Sequence, residues 1–249
     1  MGEPLRLAPL VEALCEFRFT PSVNTSGWDM TLPGRLYERI RQEFPNRSQV
    51  SEVGIQFQSQ PNSNTLSQVF QGVERLQLKR SDESAMVQIG QNTLIVNQLK
   101  YHTWDDFCKL INRILSEYVN LLDNQFILNK IGLRYINHIP APSNKPFEIS
   151  DFLSVVPNLT GELNRPLSSF YQQYGLEYTK EKSVLNLQAL IAEKPNSELV
   201  IILDLDFSSE HVGGFSNIHE VTKWLEQAHE NIELAFISSL NPKYYESIQ

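Results

Sequence analysis

Apolar and polar side chains alternate near the middle of the chain, where Ile131, Leu133, Tyr135 and Ile139 are separated by Gly132, Arg134, Ile136 and His138. A period of two is that of a β-strand with one face in a core. It predicts a strand over residues 127–139, closed by Pro140 and Pro142. The same pattern predicts strands over residues 10–20, 52–58, 69–79, 85–99, 168–179, 183–192 and 198–207, with a break signal at residues 90–92. Elsewhere the period is helical. Thr31 caps a helix with Pro33 in its first turn and the stripe Leu36, Tyr37, Ile40 and Phe44. Thr103 caps a long helix with Phe107, Leu110, Ile111, Ile114, Tyr118, Leu121 and Leu122. Ser150 caps a short one with Phe152, Leu153 and Val156. Asn217 caps the last, with Val221, Trp224, Leu225, Ala228, Ile232, Ala235 and Phe236.

The predicted order is therefore β-α-β-β-β-α twice, over residues 1–124 and 125–249, which makes the chain α+β. Phe17-Arg18-Phe19 and Leu133-Arg134-Tyr135 lie 116 residues apart, and the short-helix stripes Leu36, Tyr37, Ile40 and Phe152, Leu153, Val156 share that offset. All seven positions of the long-helix stripe recur after 114. The expectation is a tandem pseudo-duplication in one compact pseudo-twofold domain, its antiparallel sheets each covered by a long helix and either joined into one continuous sheet or packed as two halves. The competing explanation is that amphipathic periodicity recurs by necessity.

Composition narrows the function classes. The 249 residues are 41% hydrophobic and 20% charged, the net charge is -8, and the halves hold 12 basic against 14 acidic and 9 against 15 side chains. Neither half is basic, so nucleic acid is not an expected partner, and Arg35, Arg39 and Arg41 form the best candidate patch. No apolar run approaches the roughly 18 residues that span a bilayer, and the N-terminus lacks a signal pattern; the expectation is a cytoplasmic protein with no membrane association. Met1-Gly2 resembles a myristoylation start, but Arg6 stands where Ser or Thr is required. Cys15 and Cys108 are too few for a disulfide framework and read as small core residues. Tyr244 and Tyr245 suggest that the C-terminal segment packs.

Ala8-Pro9-Leu10-Val11-Glu12-Ala13 with Phe17-Arg18-Phe19, the central Gly132-Leu133-Arg134-Tyr135-Ile136-Asn137, and a closing helix with Trp224, His229 and Phe236 resemble a sporadically distributed family of uncharacterised bacterial proteins of about this length. The resemblance covers nearly the whole chain, and its motifs read as packing signatures. No activity carries over from the resemblance to this chain, and no cofactor is expected. The family's patchy distribution is similar to that of accessory genes, including phage-defence genes.

Five residues are candidates for chemistry. Arg18 and Arg134 hold equivalent places in the two first strands, where paired guanidinium groups suit a carboxylate or phosphate. The alternative is that each faces solvent or pairs across the sheet with Glu12 or Glu16. Among His102, His138, His211, His219 and His229, none forms a helical i, i+4 metal pair, and His138 is the most site-like. Asp204 and Asp206 share one strand face and can hold a divalent metal, ahead of the flexible-looking Ser208 to Gly214 stretch; simple solvation is the alternative. Gly-rich phosphate loops, nucleophile elbows and activated cysteines are missing from the sequence. The strand aromatics Phe170, Tyr171, Tyr174 and Tyr178 lack interleaved basic residues and read as sheet packing. These patterns lead to the expectation of a non-enzymatic protein-interaction module with a protein partner. A small anionic ligand binder using Arg18, Arg134 and His138 is the first alternative, and a metal-assisted hydrolase using Asp204 and Asp206 the second.

Overall fold

The computed structural model describes residues 9–20, 28–58, 67–123, 126–142, 147–157, 159–163, 165, 167, 169–194 and 197–249, without the side chains of residues 51–58, 67–73 and 211–213. The Met1-Gly2 start, most of the loops predicted before the first helix and at residues 59–67, and the side chain of His211 lie outside the described residues. The elements run β1 (Leu10–Phe19), α1 (Leu32–Ile40), β2 (Asn46–Gln58), β3 (Ser67–Lys79), β4 (Ala85–Gly90), β5 (Thr93–Gln98), α2 (Trp104–Leu121) and β6 (Leu128–Pro140). Then come 3-10 turns at Ile149–Asp151 and Gly161–Leu163, β7 (Tyr171–Tyr178), β8 (Ser183–Glu193), β9 (Leu199–Phe215), α3 (Ile218–Ser239) and α4 (Pro242–Ile248).

The class is α+β, a mixture of helices and wholly antiparallel pairings. The strands form one nine-stranded sheet, in the order β2-β3-β4-β5-β1-β6-β9-β8-β7, so residues 1–124 and 125–249 share one continuous sheet, one of the two arrangements expected. The order of elements is corrected in both halves. Residues 85–99 fold as β4 and β5 around a tight turn, where Asn92 takes a positive φ of 54°. In the second half a 3-10 turn replaces the short helix, held by reciprocal bonds between Glu148 and Asp151, and Pro157 follows it.

Caps decide where the long helices start. The Thr103 hydroxyl accepts from the Asp106 amide at 3.2 Å, and the Asn217 amide oxygen accepts from the Glu220 amide at 2.9 Å. At α1 the predicted cap moves: Thr31 is already helical, and the Asp29 carboxylate accepts both its amide and its hydroxyl. The C-terminal segment does pack, since α4 lays Tyr244 against Phe152 and buries Ile248.

One face of the sheet is apolar from β4 to β8. Cys15 lies beside Val96 and Leu133, Val96 beside Val87, and Leu133 beside Phe207, which lies beside Leu185. The stripes of α1, α2 and α3 join this face in a single buried cluster. Cys15 and Cys108 are both buried in it as free thiols. Among the described residues no helix is long and apolar enough to cross a membrane.

Candidate functional site

Because side chains alternate, burying one face of β1, β6 and β9 sends the remaining residues of each strand to the other face. All five candidates lie on that second face, and three of them, Arg134, Asp204 and Asp206, meet there. Leu14 lies beside Arg134, Arg134 beside Asp206, and Asp206 beside Asn186; one step along, Glu16, Gly132 and Ser208 form the next row. Arg134 donates from Nε to Asp204 Oδ1 at 2.8 Å and from Nη2 to Asp204 Oδ2 at 2.5 Å. Both carboxylate oxygens of Asp204 are therefore engaged in a forked pair. That hydrogen bond holds the Arg134 guanidinium further into its charged form, with Asp206 and Glu12 adding to the effect.

Asp206 is the other half of the predicted acidic pair, and its environment is different. Burial raises its carboxyl above the usual carboxylate range, against the pull of Arg134 and Lys130, while Asp204 and Glu16 push it further up. A hole beside it comes from Gly132: a Cβ there would sit 3.6 Å from Ser208 Cβ and 3.7 Å from Asp206 Oδ1. Arg18 bonds Glu16 at 2.9 Å, two residues away on its own strand rather than across the sheet. It lies opposite Lys130, while Arg134 lies opposite Leu14. Four rungs of sheet, roughly 13 Å, separate the two arginines, so they do not converge. His138 lies four residues along β6 from Arg134, and its backbone amide donates to the Pro9 carbonyl. Burial, and then Lys194, hold its imidazole below its ordinary pKa.

A chain of side-chain hydrogen bonds that the sequence reading did not single out crosses the same face. Gln77 donates to Gln88 at 3.3 Å, Gln88 to Asn97 at 3.1 Å, and Asn97 to Glu12 at 2.6 Å, which links β3, β4, β5 and β1. Asn97 is only 2% exposed. Lone polar residues inside otherwise apolar strands were the available signal, because a buried amide has to be partnered. Among the described residues no group of three or more His, Cys, Asp or Glu is placed to hold a metal ion. Arg35, Arg39 and Arg41 each pair with a carboxylate, on Asp29, Glu117 and Glu38.

Two further features stand apart from this face. Between α2 and α3, the Tyr135 hydroxyl lies 2.9 Å from His229 Nδ1, and His229 stacks on Trp104 at 4.3 Å between ring centres. Trp104 Nε1 and the Cys108 thiol both donate to Glu226, while the Thr222 hydroxyl donates to Asn112. Burial pushes the Tyr101 hydroxyl, which bonds Tyr135, up to about 12. The second feature is the β7 edge of the sheet, which no other described strand covers. Of the strand aromatics expected to pack, Phe170 is buried and Tyr178 meets Phe207 edge-on at 5.0 Å. Tyr171 is 62% exposed, and Tyr174 and Leu176 are each 43% exposed. A shallow hollow at the β7–β8 turn, lined by Glu177, Tyr178, Lys182 and Val184 among others, adjoins them and contains no predicted site residue.

No family model matches the chain, and no curated protein matches it. Among solved structures, the chain is similar to the S. pombe Pct1 RNA triphosphatase in complex with the Spt5 CTD, at 9% identity over 99% of this chain and 83% of that one. The TM-score is 0.14, a level that bears on neither fold nor function.

Proposed function

We propose that the protein is a non-enzymatic protein-interaction module that engages its partner at the β7 end of the sheet. The observation that carries this reading is an eight-residue strand that, among the described residues, is paired on one side alone and that exposes Tyr171, Tyr174 and Leu176. Large apolar and aromatic side chains grouped on an open edge are what interfaces are built from. The anionic-ligand alternative has less support, because Arg134 is engaged by Asp204 and Arg18 by Glu16. The metal alternative has less for the same reason, since Arg134 occupies both oxygens of Asp204.

The proposal extends to the origin of the fold: a tandem pseudo-duplication forming one pseudo-twofold domain. Its support is in the topology. Outward from the β1–β6 pair the order is β5, β4, β3 on one side and β9, β8, β7 on the other, with β2 as an extra strand beyond β3. A shift of 116 residues maps Glu16 onto Gly132, the residue it faces. A shift of 114 maps the Cys108 to Glu226 contact onto the Thr222 to Asn112 contact. A cytoplasmic, accessory or phage-defence setting rests on the sequence resemblance alone.

Affinity purification of the tagged chain from its source cell at low salt, beside a Tyr174→Lys/Leu176→Lys variant, tests the function. The expected result is a stoichiometric protein retained by the wild type and lost from the variant. A wild type that retains no protein sinks the reading.

A further inference from the structure

We propose that the protein docked at β7 is a second copy of the same chain, paired antiparallel through β7 across a twofold axis at Gly175. This deepens the interaction-module reading and rests on it. The main chain of β7 sets the register. The Ile191 amide donates to the Phe170 carbonyl, and β7 and β8 pair in unbroken register from Tyr171–Leu190 to Tyr178–Ser183. Hydrogen-bonded pairs alternate along an antiparallel ladder, so Gln172, Tyr174 and Leu176 turn their peptide groups to β8. Gln173, Gly175 and Glu177 turn theirs to the open edge. Natural sheets blunt such edges with Lys, Pro or bulges. β7, with the sequence YQQYGLEY, has none of these.

An axis at Gly175 matches this edge to itself. Gln173 pairs with Glu177 of the partner subunit, amide to carboxylate, and the relation is repeated by symmetry. On the other face Tyr174 packs on Leu176 of the partner subunit, again twice, covering the two side chains that α3 leaves exposed. Gln173, Gly175 and Glu177 of each copy, the outward-facing residues whose partners lie within the paired strand, supply about six main-chain hydrogen bonds across the axis. Each Glu177 stands roughly 13 Å from its symmetry mate, so the strand's one charge meets no like charge. Gly175 leaves room for the close approach at the axis.

Sedimentation of the full chain tests the pairing. The wild type is expected at twice 28.6 kDa. Gly175→Pro is expected at 28.6 kDa with unchanged circular dichroism and melting temperature. That substitution removes an amide which β8 does not use, and a Cβ there meets nothing nearer than 3.9 Å. Under mild oxidation Gly175→Cys should cross-link to itself. Gln173→Cys and Glu177→Cys should cross-link in mixture but not alone, and the native thiols, being buried, do not compete. A wild type at 28.6 kDa at the highest attainable concentration overturns the proposal, as does a dimer that Gly175→Pro leaves intact. A monomer that retains a different protein in the purification above overturns self-pairing and keeps the interaction reading.

Discussion

Arg134 lies directly opposite Asp206 in the β6–β9 ladder, yet it gives its forked hydrogen bonds to Asp204, two residues away on the same strand. One arginine thereby separates two neighbouring aspartates into a paired and an unpaired environment. The side chain of Asp204 is 8% exposed and that of Arg134 is 39% exposed, so the two ends of the pair are unequal.

That inequality predicts unequal mutants. Arg134→Ala strands a buried carboxylate and should cost about 2–3 kcal/mol. Asp204→Asn leaves a guanidinium that can turn to water, and should cost about 1 kcal/mol. Arg134→Met/Asp204→Leu should recover most of the loss, because desolvation offsets much of what such a pair contributes. Urea denaturation with unchanged slope checks all three. Equal losses in the two single variants would contradict the assignment.

Asp206 predicts a pH dependence of opposite sense to the usual carboxylate. Burial raises its folded-state pKa above the unfolded value, so between the two values the folded protein holds more protons. Stability from this group is full below the unfolded value and is lost as pH rises through the folded one. Asp206→Asn should therefore match the wild type near pH 3 and melt higher than it at neutral pH. Melting temperature against pH for both proteins reads this directly.

His229 runs the other way. Burial holds its imidazole below the ordinary value of 6.5, against the opposing pull of Glu233, Glu226 and Glu230. The unfolded chain binds the proton first, so stability is full above the unfolded pKa and falls as pH drops through the folded one. His229→Gln should flatten the decline in melting temperature between pH 7 and the acid side of that range. His138→Asn should remove a further part, since its imidazole is also lowered by burial and by Lys194.

Gly132 of β6 and Gly214 of β9 should respond very differently to a methyl group. Gly214 has φ +57°, and a Cβ there would lie 2.0 Å from the Leu128 carbonyl oxygen. Gly214→Ala should cost about 2 kcal/mol or more. Gly132→Ala places its methyl at ordinary contact distances and should stay within about 0.5 kcal/mol of the wild type. Thermal melts of the two variants decide it.

Much of the fold was legible because periodicity and caps are local. The strands around Phe17 and Leu133 and the helices after Thr103 and Asn217 follow directly from them. The split of residues 85–99 came from the conformation of Asn92, which periodicity only hints at. The short second helix failed because Pro157 and the Glu148 and Asp151 bonds left too little chain to propagate a helix beyond one turn. For β9 the strand ran on to Phe215, since the chain bulges between the Leu128 and Lys130 pairings instead of ending in a glycine loop. At the site, alternation correctly put Asp204 and Asp206 on one face. Their partner was not legible, because Arg134 is 70 residues away and reaches Asp204 on a diagonal. The exposure of Tyr171 and Tyr174 was also hidden, since a strand's own sequence does not reveal that it lies at an edge.

The first strand made is the one that sits in the middle. β1 pairs with β5 on one side, through contacts such as Cys15–Val96, and with β6 on the other, through contacts such as Phe17–Ile131. During synthesis the β5 side can close as soon as α2 has emerged, while the β6 side stays open until residues 128–140 follow. The central seam thus joins the strands furthest apart in sequence among the described pairings, so it carries their largest loop-closure cost, and β9 closes on the far side of β6 later still. A chain interrupted after α2 would present β1 as a raw edge, and the nearest strand able to close it would be β1 of another interrupted chain.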